Sequence, residues 1–203
     1  MPVPALGLRL GDPHQAGDVH EDDGGAVLKS RLGFVEEHFG KAGLQKVIDS
    51  LPPDDQRALR MVFTSNWYPF DLGKRLDDAI VRVLAGGKPE FFERLGEASA
   101  TKNLSTVHSA YVTKGNPQAF LAKAPAIYGM YYETGRREYR QTGERSAVIT
   151  THDAETFSSP DCLTVIGWYR KGLEMCGATN VRIVEEECRA RGGQVCRYAL
   201  SWS

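Results

Sequence analysis

The stretch that decides the fold is NVRIVEEECRARGGQVCRYALSW, residues 180–202. Asn180 to about Glu187 and Val195 to Trp202 carry the β-branched and aromatic residues of two strands, and Arg191-Gly192-Gly193 supplies the turn between them. Immediately upstream, Asp161 to Cys176 has helical spacing, with Ser159 or Asp161 as a front cap and Gly177 as a stop. Further back, Arg136 to Gln141 and Ser146 to Thr151 alternate as a strand pair about Gly143.

Before Gly135 the period is helical. Val27, Leu28, Leu32, Phe34, Val35 and Phe39 recur at spacings of mostly three and four, and Gly40 follows as a stop. Leu44 to Leu51 predicts a second helix, Asp54 caps a third, and Asp71 to Leu84 predicts a fourth that Gly86-Gly87 closes. Pro89 to about Asn103 is another, and Pro117 to Thr134 is expected to be the longest of the remainder, with Pro125 marking a kink or a start. The fold class is therefore α+β: a helical N-terminal half, then a small antiparallel sheet with a packed helix and a C-terminal hairpin. Residues 1–25 lack periodicity and are expected to be a disordered tail, leaving 26–203 as a single domain.

Bulk properties narrow the function classes. The chain has 203 residues, 41% of them hydrophobic and 25% charged, with a formal net charge of −1. No basic excess is available to neutralise phosphates, so nucleic acid is not an expected partner. No apolar run is long enough for a membrane span, and the N-terminus lacks the basic start and apolar stretch of a secretory signal. The expected location is cytoplasmic, where four cysteines read as metal ligands, buried small hydrophobes or reactive thiols before disulfides.

Those cysteines are Cys162, Cys176, Cys188 and Cys196. Fourteen residues of helix separate Cys162 from Cys176, roughly 21 Å, whereas the thiolates of one tetrahedral zinc lie within about 4 Å of each other. Cys176 is therefore excluded from a shared site. Cys188 and Cys196 flank the hairpin turn, and Glu185 offers a carboxylate three residues earlier. A regular strand would put Glu185 and Cys188 on opposite faces, so a turn or bulge near Glu187 is required. Cys162, at the front of the preceding helix, can complete a Cys3Glu zinc site. The alternative is that the cysteines are buried apolar residues and Glu185 is an exposed strand carboxylate.

The segment Cys162-Leu-Thr-Val-Ile-Gly-Trp168, with Gly172, Gly177, Glu185-Glu-Glu-Cys188, Gly192 and Cys196, resembles the zinc-binding end of the 4-vinyl reductase domain found in aromatic-responsive sensors. From about Ala26 the chain, with Trp67-Tyr68-Pro69, Gly167-Trp168 and Trp202, also looks like an uncharacterised family common in myxobacteria. The first resemblance implies Cys162, Glu185, Cys188 and Cys196 as ligands of a structural zinc. The wider superfamily implies dimers and a small hydrophobic pocket. The chain lacks the ATPase and DNA-binding modules of the aromatic sensors, and its Tyr169, Arg170, Lys171 and Glu174 replace their small residues.

The expected function is a stand-alone sensory or regulatory domain that binds a small hydrophobic ligand or a protein partner and forms a homodimer. Trp67, Tyr111, Phe120, Tyr128, Tyr132 and Trp168 are the candidate ligand contacts, against the alternative of an ordinary packed core. The pocket is expected between the helices before Gly135 and the helix bearing Cys162. A dimeric scaffold with a filled core is the second reading, and an enzyme acting on a tetrapyrrole-like substrate ranks last. His108 and His152 are the best general-base candidates, and no nucleophile elbow, phosphate loop or dinucleotide fingerprint is present.

Overall fold

The computed structural model describes residues 22–154 and 158–203. The expected tail at 1–21 lies outside the described residues. Asp22–Gly24, expected within that tail, instead forms strand β1, paired antiparallel with β2 at Trp67–Pro69. Helix α1 then runs Gly25–Asp49, interrupted at Gly40, whose φ of 67° suits a residue without a Cβ. Helix α2 (Pro53–Arg60) begins one residue before Asp54, because proline at the first helical position is preorganised there. Helices α3 (Phe70–Val83) and α4 (Phe91–Leu104) follow.

The long helix expected over 117–134 is two short ones. Helix α5 (Pro117–Leu121) is capped by the Asn116 side chain, and α6 (Ala124–Tyr128) starts afresh with Pro125 in its first turn. Proline cannot continue the hydrogen-bond ladder, so the run splits there. Strands β3 (Arg136–Gly143) and β4 (Ser146–His152), helix α7 (Ser159–Met175), and strands β5 (Arg182–Glu187) and β6 (Cys196–Ser201) complete the chain. The cap of α7 is Ser158, not Ser159 or Asp161: its hydroxyl accepts from the Asp161 N–H at 3.2 Å.

The larger sheet is antiparallel throughout, in the order β3-β4-β6-β5. The architecture is α+β, with a helical N-terminal half and a C-terminal sheet under one packed helix. Two cores result. One is built from Leu28, Val35, Leu76, Ile80, Phe92 and Leu95. The other gathers Phe120, Leu121, Ile149, Leu173, Tyr198 and Leu200. Helices α4 and α7 join them at a crossing made of glycines. A Cβ on Gly96 would lie 2.1 Å from the Thr164 carbonyl oxygen, and one on Gly167 would lie 1.9 Å from that of Glu93. The two backbones touch, which no other residue type would permit.

Candidate metal centre and inter-lobe cavity

The sheet register determines which side chains meet. Arg137 pairs with Thr151, and Thr151 with Cys196. Directly opposed residues share a face, so these three form one row across the sheet. Tyr139, Ile149, Tyr198 and Glu185 form the next same-face row. The β5–β6 register shifts between Glu185 and Glu187, where one residue is added to β5. That bulge reverses the alternation, so Cys188 emerges on the same face as Glu185 and Cys196.

Cys162, in the first turn of α7, meets them from above. Its Sγ lies 3.5 Å from that of Cys188 and 3.8 Å from that of Cys196. All three are buried, and their sulfurs fall within 4.8 Å of one another. A tetrahedral zinc with bonds of about 2.3 Å would hold sulfurs about 3.8 Å apart. Hydrogen bonds to Cys188 and Cys196 push the Cys162 thiol up. The bond from Cys162 pulls Cys196 down to about 7, helped by the Arg189 N–H.

Glu185 lies outside the 4.8 Å set. Its side chain is only 6% exposed, and Oε2 accepts from Arg191 at 2.8 Å. Oε1 is buried and has no hydrogen-bond partner, the one such side-chain atom among the described residues. A buried carboxylate oxygen left without a donor is costly. Cys176 is buried at the far end of α7, outside the cluster.

A cavity of about 80 Å³ lies where the two lobes meet, lined by α1, α4, α6, β3 and α7. Tyr128, Tyr132 and Trp168 contribute to its wall; Trp67, Tyr111 and Phe120 do not. Phe120 is fully buried in the sheet-lobe core and stacks on Trp168 at 5.8 Å. Trp67 is 40% exposed on β2, and the Tyr111 hydroxyl reaches Met130. Sequence reasoning missed Arg31, Asp77, Asp161 and Arg137. Arg31 donates to Asp77 through Nε at 2.6 Å and Nη2 at 3.1 Å, and to Asp161 at 3.0 Å, with the Tyr132 hydroxyl donating to the same Asp161 oxygen at 3.0 Å. Burial alone would lower the Arg31 pKa, but the two carboxylates outweigh it and raise it. Burial pushes Asp77 up to about 6 against the pull of Arg31. A signal was available: Arg31 interrupts the apolar stripe Leu28, Arg31, Val35, and Asp77 adjoins Leu76 and Ile80 on α3.

Neither histidine candidate faces this cavity. His152 Nε2 lies 3.1 Å from Glu138 at the sheet surface. His108 lines an adjoining groove of about 490 Å³, which shares Ala26, Ser30, Asn103 and Tyr131 with the cavity, and its Nε2 lies 2.6 Å from the Tyr131 hydroxyl.

A family model described as protein of unknown function DUF2378 matches residues 65–203. The chain belongs to that family. No curated protein matches it. Among solved structures, it is similar to the Fe(II) unliganded H-NOX protein from K. algicida, at 14% identity and a TM-score of 0.70, covering 89% of this chain and 96% of that one. It is also similar to an oxygen-binding H-NOX domain related to soluble guanylate cyclases, solved as its oxygen complex. There the identity is 11% and the TM-score 0.63, covering 88% of this chain and 94% of that one. A structure from work on heme distortion in the H-NOX family gives 10% and 0.65, with the same coverage. This DUF2378 chain thus shares the H-NOX fold. No helix among its described residues is long and apolar enough to cross a membrane.

Proposed function

We propose that the protein is a sensory or regulatory domain that binds a small ligand between its lobes and carries a structural zinc in its sheet lobe. The cavity is the observation that carries the reading. It is a concave space, walled in part by aromatic rings, in which a few charged groups converge, and it touches both lobes at once. A molecule bound there would contact α1 and α4 on one side and α7 on the other, so occupancy would bear on how the lobes are held together.

The metal reading follows the resemblance to the 4-vinyl reductase zinc site. Cys162, Cys188 and Cys196 would supply thiolates, and the partnerless Oε1 of Glu185 the fourth ligand. Glu185 lies outside the 4.8 Å set, so its side chain would have to move toward the thiolates to close it. Four protein ligands leave no position for water or substrate, so the ion would fix β5, β6 and α7 and supply no reaction chemistry.

Heme, which figures in the H-NOX work, does not fit this cavity. About 80 Å³ is far below the roughly 300–1,000 Å³ of cofactor-sized sites. Its wall has no histidine, cysteine or methionine. The phenols of Tyr128, Tyr131, Tyr132 and Tyr169 are engaged with Thr134, His108, Asp161 and Arg137. A dimeric scaffold is the second reading, favoured by Met61 and Phe63, which are 66% and 62% exposed.

Metal content of protein purified without added metal tests the zinc site. About one zinc per chain is expected, lost in Cys188→Ser and retained in Cys176→Ser; loss in the Cys176 variant would overturn the ligand set. Melting temperature measured against small aromatic and aliphatic compounds tests the ligand reading, since a saturable rise is the mark of binding to the native state.

A further inference from the structure

Two arginines line the cavity, and they are treated differently by their surroundings. Arg31 is held by Asp77 and Asp161 and is saturated. Arg137 donates from Nε to the Thr151 hydroxyl at 3.0 Å and, at a long 3.4 Å, from Nη1 to the Tyr169 hydroxyl. Its guanidinium lies over the Tyr128 ring, 4.7 Å from the centroid, and 5.7 Å from that of Tyr169. Among the described residues no carboxylate pairs with it. The adjacent Glu138 points to the opposite face of the sheet, where it meets His152. The one carboxylate on the cavity wall, Asp161, is engaged by Arg31 and by the Tyr132 hydroxyl.

The cavity therefore presents one guanidinium with donors to spare, framed by aromatic rings. A neutral ligand would leave those donors unmatched in a confined site, which costs more than the apolar contacts of so small a molecule return. A carboxylate matches them, because its two oxygens accept the parallel N–H bonds of a guanidinium edge. Cation–π contact with Tyr128 holds the guanidinium plane in place beforehand, so little freedom is lost on binding. The volume of about 80 Å³ accommodates a ligand of a few non-hydrogen atoms.

We propose that the cavity takes a small organic monocarboxylate, its oxygens on Arg137 and its apolar part against Tyr128 and Trp168. This rests on the ligand-binding reading above and names the ligand class. Calorimetric titration of the full chain with propionate, its neutral isostere propionamide, and phenol tests it. Propionate is expected to bind at least about tenfold more tightly than propionamide. Arg137→Gln should bring that ratio close to one, and Arg137→Lys should keep part of it. Equal binding of acid and amide by the wild-type chain overturns the inference even if Arg137→Gln does not fold. So does a preference for the acid that survives in Arg137→Gln. Saturable phenol binding without any preference for the acid would remove the carboxylate and leave the ligand-binding reading standing. No saturable binding of any of the three would remove both.

Discussion

The helical lobe closes its interior with aliphatic and aromatic side chains from α1 to α4, and its buried charges, Arg31 and Asp77, answer each other. The sheet lobe closes around three thiols and a carboxylate oxygen that nothing among the described residues satisfies. The first interior answers its own charges; the second leaves one buried carboxylate oxygen without a donor beside three thiols, the set proposed above for zinc. On the proposed zinc reading, one small domain uses two strategies, packing where helices supply enough apolar surface and coordination where a short hairpin does not.

Removing the cation should break the comparison most visibly. Structural zinc contributes on the order of 10 kcal/mol in small zinc-binding peptides. Chelation is accordingly expected to abolish hydrogen-exchange protection in β5 and β6 while leaving α1 and α3 protected. Uniform loss across both lobes would mean that the sheet lobe is not separately dependent on metal. The next effect belongs to the helical lobe. Asp77→Ala strands the Arg31 guanidinium with Asp161 alone and should cost about 3–5 kcal/mol, read by urea denaturation. Smaller again is the effect at the junction. Gly96→Ala gains helix propensity but drives a methyl into the Thr164 carbonyl, and a net loss of about 1–3 kcal/mol is expected from the same measurement.

The two regions also differed in how far the sequence revealed them. In the sheet lobe the signals were local. The Gly192-Gly193 turn located the hairpin, the fourteen-residue spacing removed Cys176, and the parity of Glu185 and Cys188 required the bulge that the register contains. The inter-lobe cavity depends on contacts between distant residues. Arg31 meets Asp77 and Asp161 across 46 and 130 positions, and no periodicity within one helix announces such partners. Phe120 illustrates the same limit from the other side, since it fills the sheet-lobe core and not the cavity. Aromatic composition does not say which ring faces a cavity and which fills a core, because either placement buries the same surface. The long helix expected over 117–134 failed for a local reason: Pro125 starts a helix there instead of bending one.

The crossing of Gly96 and Gly167 has a bearing on how such a cavity can change. Where two helices are spaced by side chains, altering those side chains alters the spacing. Here the separation of α4 and α7 is fixed by carbonyl oxygens and α-carbons. Wall residues on the same two helices, such as Ser99 and Thr164, can be exchanged without shifting the supports on either side. The frame is insulated from its own lining, so the chemistry of the chamber is free to vary while its dimensions are inherited from the backbone.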